Sequence, residues 1–327
     1  MRPLRRRAVW ISWERHRRSR ELARELSVPL FEVVSGGGPH LRSLSCSLRT
    51  VGLLLRLRPS LLFVQNPSVQ LAALASFLKP LFGYTLVVDR HSNFDFADTD
   101  RGLFNLLSNY TIRKADLTIV TNEAVQGLVE TKGGRAFILQ DILPRLEPDG
   151  VERPEGETRV VYICSFSSDE PVEEVVEAAR LLDDTVRVYV SGRIAKTFLS
   201  RARSAPPRLA FTGFLPEHEY LALLGSADVV VALTKREHTL LCGAYESVSL
   251  RKPLVLSNHA ALRNYFTKGV VLTDNTPSAI AAAIRTAVGD RSRLSAQMDE
   301  LALELQADWA SRFRRLKTLL GLDLAAA

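Results

Sequence analysis

Short apolar runs alternate with longer helix-forming stretches along almost the whole of this 327-residue sequence. Most of the runs are followed by a stretch long enough for the crossover that parallel strands require. The pattern therefore predicts parallel β-sheets covered by helices, an α/β architecture. In the first half the predicted strands are 8–13, 30–34, 61–65, 85–89 and 117–121. In the second half they are 159–165, 185–191, 208–214, 228–233, 253–257 and 269–273.

The length of the chain predicts two domains, because a single hydrophobic core rarely extends over so many residues. Residues 144–158 concentrate Pro, Gly and acidic residues and contain few apolar ones, which is typical of an interdomain linker. We predict an N-terminal domain over residues 1–146 and a C-terminal domain over residues 158–292. The final stretch, residues 291–320, has a helical pattern.

The excess positive charge lies entirely in the first half. Residues 1–150 contain 21 Lys or Arg and 14 Asp or Glu, whereas residues 151–327 contain 22 of each kind. Such a surface favours anionic lipid headgroups, a pyrophosphate-bearing acceptor or nucleic acid. No recognition motif accompanies the basic residues, so we predict no nucleic-acid partner.

Residues 41–57 show an apolar helical pattern with Arg42, Arg49 and Arg56. Such a helix either lies on a membrane surface, with its arginines at the headgroups, or packs as an ordinary crossover helix. The most apolar region, residues 61–88, is divided by Pro and Gly, and no signal peptide or transmembrane helix is predicted. We expect a cytoplasmic protein, peripheral on the inner face of the membrane if the first alternative holds.

Several common uses of an α/β fold lack their motifs here. The first strand is not followed by Gly-x-Gly-x-x-Gly, and there is no P-loop, so neither a dinucleotide-dependent dehydrogenase nor a nucleoside triphosphatase is expected. The three cysteines have no metal or redox spacing and are predicted to be reduced. No Asp-x-Asp stands at a strand end, and we expect neither a metal nor a cofactor.

Residues 228–258 predict an anion-binding site. They form a strand, a polar loop, a helix that opens at Cys242, Gly243 and Ala244, and a second strand. A helix start offers unpaired backbone N–H groups and the positive end of the helix dipole, and ligands bind where strands of open parallel sheets end. Glu246, one turn inside the helix, is placed to accept hydrogen bonds from two neighbouring sugar hydroxyls. The arrangement is typical of a site for a nucleotide diphosphate sugar.

This segment resembles the nucleotide-sugar-binding core of family 4-like glycosyltransferases of the GT-B fold. Their pattern is Glu, seven residues, Glu, and then Pro seven positions after the second Glu. Glu246 and Pro253 match it, whereas the first Glu falls on His238, with Glu237 one residue earlier. The resemblance implies two Rossmann-like domains facing across a cleft, with the C-terminal helix, residues 300–327, crossing back to the first. It also implies sugar transfer from a nucleotide diphosphate sugar to a glycan or lipid-linked acceptor.

The resemblance also indicates which groups would bind the diphosphate. Retaining relatives place an Arg and a Lys after the first strand of the second domain, but residues 165–170 contain no basic residue here. Arg193 and Arg236, the latter next to Lys235, are the nearest substitutes. Ser165 and its loop offer hydroxyl and backbone N–H donors to a phosphate. His238 either contacts the donor sugar or diphosphate or is a structural histidine of its loop, and Glu237 either replaces the missing carboxylate or pairs with Arg236.

A polar cluster directly follows the predicted strand 85–89. In a sugar transfer with inversion, a carboxylate or an imidazole must take the proton from the attacking hydroxyl. Asp89 and His91 are our candidates for this role, and the alternative is that Asp89 caps the following turn while His91 binds nearby backbone.

Two other functions remain open from the sequence. A GT-B sugar epimerase would hold the same donor without needing an acceptor. A catalytically silent GT-B domain would bind a nucleotide as a scaffold, and the missing first Glu and missing basic loop favour it.

Overall fold

The computed structural model describes residues 7–66, 68–91, 102–148 and 156–322. The predicted α/β class is confirmed, since the described strands form two six-stranded sheets in which every pairing is parallel. The chain divides into two compact units. The first comprises Met1–Ile142 and Asp308–Ala327, and the second comprises Leu143–Ala307.

The first unit has the sheet order β2-β1-β3-β4-β5-β6. Its strands are β1 Ala8–Ser12, β2 Leu30–Glu32, β3 Leu61–Asn66, β4 Thr85–Arg90, β5 Leu117–Val120 and β6 Ala136–Ile138. Its helices are α1 Arg17–Glu25, α2 Pro39–Leu57, α3 Val69–Phe82, α4 Gly102–Lys114 and α5 Glu123–Thr131. The chain reverses its direction across the sheet between β1 and β3, which makes the ends of these strands the topological switch point.

The two faces of the first sheet have separate cores. Trp10 and Phe63 point to one face, where α1 packs, whereas Val9, Ile11 and Leu62 point to the other, where α2 and α3 pack. Strand residues alternate between faces, so each strand buries apolar side chains on both sides. This double burial explains why these strands appear in the sequence as continuous apolar runs.

The second unit has the sheet order β12-β11-β10-β7-β8-β9, with its switch point between β7 and β10. Its strands are β7 Thr158–Tyr162, β8 Val186–Ser191, β9 Leu209–Gly213, β10 Val229–Ala232, β11 Leu254–Ser257 and β12 Val270–Thr273. Its helices are α6 Val172–Arg180, α7 Leu199–Arg203, α8 Glu217–Gly225, α9 Cys242–Ser249, α10 Ala260–Tyr265 and α11 Pro277–Gly289. A 3-10 turn, Lys196–Phe198, precedes α7.

The final helix, α12 Arg291–Leu320, begins in the second unit and ends in the first. Its last turns bury Trp309, Phe313, Leu316 and Leu320 in the core that α1 covers. The Trp309 indole Nε1 donates a hydrogen bond to the carbonyl of Gln140 over 3.1 Å. A tail that returns to the first domain was expected from the resemblance, and these contacts are what hold it there.

The structure differs from the predicted elements mainly at their ends. Helix α3 continues through Pro80 to Phe82, because Gly83 closes it in the left-handed region at φ 70°. Strand β6 was not predicted, since it has only three residues and all are half-buried. Among the described residues, no helix has the length and apolar character needed to cross a membrane.

Leu316→Ala should lower the free energy of unfolding of the first unit by about 2–5 kcal/mol, because it leaves a cavity in the core beneath α12. Leu316 is fully buried, whereas Leu319 on the same helix is 41% exposed. The control Leu319→Ala should therefore have little effect in urea unfolding. Equal losses from the two variants would mean that α12 does not stabilise this core.

Candidate functional site

Each unit carries a cluster of polar side chains where its strands end. In the first unit the cluster begins at the switch point, where the Ser12 hydroxyl donates a hydrogen bond to Gln65 Oε1. Both residues are fully buried. Side chains from β1, β3 and β4 therefore converge at one edge of this sheet, which is where open α/β sheets bind ligands.

The buried ion pair between Arg18 and Asp89 organises this edge. Arg18 Nε donates to the two carboxylate oxygens of Asp89 over 2.9 and 3.2 Å, and both side chains are almost inaccessible to solvent. The remaining guanidinium N–H groups reach Asp141 and the carbonyl of Leu139. Burial raises the pKa of Asp89, but the charge of Arg18 and the hydrogen bonds from His91 and Arg18 outweigh it and hold the pKa at about 2.

His91 is the second partner of Asp89, and the two predicted candidates are in direct contact. His91 Nδ1 lies 3.1 Å from Asp89 Oδ2. An ionised carboxylate only accepts hydrogen bonds, so Nδ1 carries a hydrogen and donates the hydrogen bond to Asp89. In the neutral ring Nε2 then keeps a lone pair that can take a proton. Asp89 is too buried to reach a substrate itself, and the dyad places the basic atom on His91.

A second histidine, which the sequence pattern did not single out, packs against this dyad. The rings of His16 and His91 lie with centroids 4.4 Å apart, and His16 Nδ1 is buried with no hydrogen-bond partner among the described residues. Burial, with repulsion from a charged His91, lowers the pKa of His16 to about 4. His16 is therefore neutral near pH 7 and adds no charge beside His91.

The predicted anion site of the second unit lies at the start of α9. Gly243 is buried against Ile163, which follows β7, and a Cβ at Gly243 would approach the Ile163 side chain to 2.8 Å. Ala244 is also buried, whereas Cys242 is exposed. The N-cap residue, Leu241, provides no side-chain hydrogen bond. This helix start thus lies at the end of β7 with no carboxylate in its first turn.

Glu246 lies one turn further along α9 and is half-buried. The hydroxyl of Tyr220, on α8, donates a hydrogen bond to Glu246 Oε2 over 2.6 Å. This contact fixes the orientation of the carboxylate. Tyr220 was not singled out in the sequence, since no local pattern marks a residue that contacts Glu246 from another helix.

Glu170 occupies the donors of the loop that was predicted to hold a phosphate. Its carboxylate accepts hydrogen bonds from the backbone N–H of Ser165 and of Ser167 and from the Ser165 hydroxyl, at 2.8–3.1 Å. Three hydrogen-bond donors of this loop are therefore already bound to a carboxylate of the protein itself. The phosphate-binding assignment of Ser165 stays a prediction, and it now requires that Glu170 be displaced or shared.

The basic substitutes beside this loop also have carboxylate partners. Lys235 Nζ lies 2.8 Å from Glu174, and the guanidinium of Arg236 lies 3.3 Å from Asp169. Asp169 accepts hydrogen bonds from Ser167 and Thr234 as well. Burial raises the pKa of Asp169, yet these hydrogen bonds and the charge of Arg236 lower it overall.

These contacts join the loops after β7 and β10, at the switch point of the second sheet. The Lys235 amide also donates to the Asp169 carbonyl over 2.6 Å. His259, which directly precedes α10, also contacts the loop after β10. Its Nε2 donates a hydrogen bond to the Thr234 carbonyl over 2.9 Å, and its Nδ1 lies 3.2 Å from Glu237. Glu237 therefore contacts His259, a partner that the sequence pattern did not indicate. His238 follows as a half-buried residue of the same loop.

Arg193 lies at the end of β8, beside the same loops. Its guanidinium stands 5.6 Å from the ring centre of Phe214, which is exposed at the end of β9. The preceding Gly192 has φ 98°, and a Cβ there would lie 1.9 Å from the Cys164 carbonyl oxygen. Only glycine allows β8 to approach the β7 loop so closely.

Comparison with known families agrees with this geometry. The model of the family described as glycosyl transferases group 1 matches residues 146–304. Residues 146–304, which make up most of the second unit, are thus similar to the glycosyl transferases group 1. The family resemblance drawn from Glu246 and Pro253 is thereby confirmed. None of the curated proteins is significantly similar to the chain.

Solved structures are similar to the chain over the residues of both units. Sucrose-phosphate synthase from Thermosynechococcus elongatus is 17% identical, with a TM-score of 0.78 over 98% of this chain and 100% of that one. Anabaena HepE in complex with UDP-glucose is 14% identical, with a TM-score of 0.69 over 93% and 87%. S. aureus MnaA with UDP is 10% identical, with a TM-score of 0.70 over 97% of both chains. These likenesses establish the fold, and the predicted pair of Rossmann-like GT-B domains is confirmed.

His16→Gln should reduce the acid sensitivity of the first unit. A histidine whose pKa falls from 6.5 to about 4 on folding stabilises the protein above pH 6.5, and this stability is lost as the pH falls to about 4. Removing the ring should shrink the drop in unfolding free energy between pH 7 and 4.5 by up to about 3 kcal/mol.

Urea unfolding at the two pH values measures this drop. His40→Gln, at an exposed position of α2, is the control and should leave it as in the parent protein. A drop that is the same in His16→Gln and in the parent would show that His16 is not buried as a neutral ring.

Proposed function

We propose that this protein is a glycosyltransferase that moves a sugar from a nucleotide diphosphate sugar to a hydroxyl of a glycan or lipid-linked acceptor. The observation that carries the proposal is the half-buried Glu246, oriented by Tyr220 one turn inside a helix whose start lies at the switch point of a group 1 domain. HepE and MnaA, which share the fold, were solved with UDP-glucose and UDP, respectively.

In this proposal the second unit binds the donor. Glu246 accepts hydrogen bonds from the two ribose hydroxyls. The backbone N–H groups at Cys242–Ala244 donate hydrogen bonds to the diphosphate, and the helix dipole favours its negative charge. Arg236 and Arg193 supply positive charge, and His238, with Glu237, contacts the sugar. The loop of Ser165 can bind the diphosphate only when Glu170 no longer accepts the hydrogen bonds of that loop.

The first unit supplies the base. His91 Nε2 takes the proton of the acceptor hydroxyl as that oxygen attacks the anomeric carbon, and Asp89 stabilises the resulting imidazolium. The bond from the anomeric carbon to the diphosphate breaks, and the nucleoside diphosphate leaves. The transfer is metal-independent in this proposal, so EDTA should not change its rate.

A catalytically silent nucleotide-binding domain is the second candidate. It is favoured by Glu170, which fills the loop donors, and by the carboxylate partners of Lys235 and Arg236. Both candidates predict that one nucleoside diphosphate raises the melting temperature of the protein. Only the transferase also releases that nucleoside diphosphate from its sugar conjugate when an acceptor is present.

Glu246→Gln should weaken nucleotide binding tenfold or more, because a hydrogen bond to a charged group contributes about 1.5–3 kcal/mol. Calorimetric titration with UDP, GDP and ADP measures the change. Glu219→Gln, at an exposed position of α8, is the matched control and should bind as the parent does. Unchanged affinity in Glu246→Gln would remove this residue from the donor site.

His91→Ala should lower kcat by about 10²–10⁴-fold, the usual contribution of a general base, while the dissociation constant for the nucleotide stays the same. Steady-state transfer kinetics and calorimetry measure the two quantities. Asp89→Asn is a less direct test, because it also leaves Arg18 buried beside a neutral partner. Full turnover by His91→Ala would exclude the proposed dyad.

A further inference from the structure

Large apolar side chains lie exposed on three neighbouring helices of the first unit. Helices α2 and α3 cover the same face of the sheet and are joined by a hydrogen bond between Ser43 and Gln70. Helices α3 and α4 are joined where Lys79 donates to the carbonyl of Lys114. We call their outer side the α2–α4 surface. Its exposed apolar residues are Leu41, Leu44, Leu48, Leu55, Phe77, Leu81 and Leu106.

The exposed leucines of α2 form a single stripe. Residues 41, 44, 48 and 55 recur at helical spacing, so their side chains lie on one side of the helix. The opposite side carries Cys46, Thr50 and Leu54, which are buried in the core. On α3, Phe77 and Leu81 are 73% and 77% exposed and four residues apart. Isolated exposed leucines are common, but a continuous apolar surface marks an interaction site.

The α2–α4 surface is positively charged and has no carboxylate of its own. The three helices have 19, 14 and 13 residues, and none of these residues is Asp or Glu. Arg42, Arg49 and Arg56 follow one another at seven-residue intervals along one flank of the leucine stripe, and Arg58 ends the helix. Within the described part of the chain, none of these four arginines forms an ion pair with a carboxylate.

We propose that the α2–α4 surface docks on a lipid bilayer with anionic headgroups. The leucines and Phe77 would enter the boundary between headgroups and acyl chains, and the arginines would lie at the lipid phosphates. The charge decides against a second copy of this chain, because a two-fold interface would bring two arginine rows together. A bilayer instead presents acyl chains to the leucines and negatively charged headgroups to the arginines.

The docking surface narrows the class of acceptor. If the protein is the proposed glycosyltransferase, its acceptor is a lipid of the bilayer on which this surface docks, with a sugar or phosphate as headgroup. This consequence rests on the proposed function, whereas the docking itself rests only on the exposed side chains. Vesicle binding and nucleotide binding can therefore succeed or fail independently.

Sedimentation with vesicles of phosphatidylcholine, with and without phosphatidylglycerol, tests the docking. The parent protein should bind the anionic vesicles, more weakly at high salt. The double variant Leu44→Glu, Leu48→Glu should lower the partition coefficient about tenfold or more, because two apolar anchors become negative charges. Its control places Glu at two exposed leucines elsewhere, Leu181 and Leu303, and should bind as the parent does.

The arginines have a test of their own. Arg56→Gln with Arg58→Gln should weaken binding to the anionic vesicles by about fivefold for each residue and hardly change binding to neutral vesicles. Melting temperatures with the preferred nucleotide verify that every variant is folded.

Three results would overturn the docking. One is a parent protein that does not sediment with anionic vesicles. Another is equal loss of binding in the Leu44→Glu, Leu48→Glu variant and its control. The third is a parent dimer, detected by analytical ultracentrifugation, that this variant dissociates while vesicle binding stays absent.

Discussion

The buried ion pair between Arg18 and Asp89 holds together the polar edge of the first unit. It links α1 to the end of β4, and through Asp141 and the Leu139 carbonyl it also links α1 to the chain after β6. Burying two charges is costly unless their remaining hydrogen-bonding groups are satisfied, and here the guanidinium has partners on several sides. The orientation of His91 depends on this arrangement, because the carboxylate that Arg18 keeps ionised accepts the hydrogen bond from its Nδ1–H.

The second unit uses internal carboxylates in a different way. Glu170 accepts hydrogen bonds from the loop after β7, and Asp169 accepts one from the loop after β10, so two carboxylates already lie at the switch point. A diphosphate would therefore depend on the start of α9 more than on the serine loop. In the proposed function, Arg236 and Arg193 are then the nearest sources of positive charge for the diphosphate.

The strands could be predicted from the sequence to within a few residues, because parallel strands buried on both faces must be apolar throughout. Asp89 and His91 were singled out because they stand where a strand ends, but the contact between them was not predicted. Arg18, His16 and Tyr220 could not be found in this way, since each acts on a partner more than 20 residues distant and no local pattern marks them. The role of Glu170 was missed for another reason. Its carboxylate binds the N–H and hydroxyl groups of a loop that the sequence predicted to bind a phosphate.

In the proposed function, the second unit binds a nucleoside diphosphate at the start of α9 and beside Glu246. Hydrogen–deuterium exchange with and without saturating UDP, GDP or ADP tests it most directly, because exchange reports which backbone amides a ligand protects. We predict that at least one of these nucleotides slows exchange in residues 241–246 and in the loop after β10. If exchange slows only in other parts of the chain, or with none of the three nucleotides, the start of α9 is not the nucleotide site.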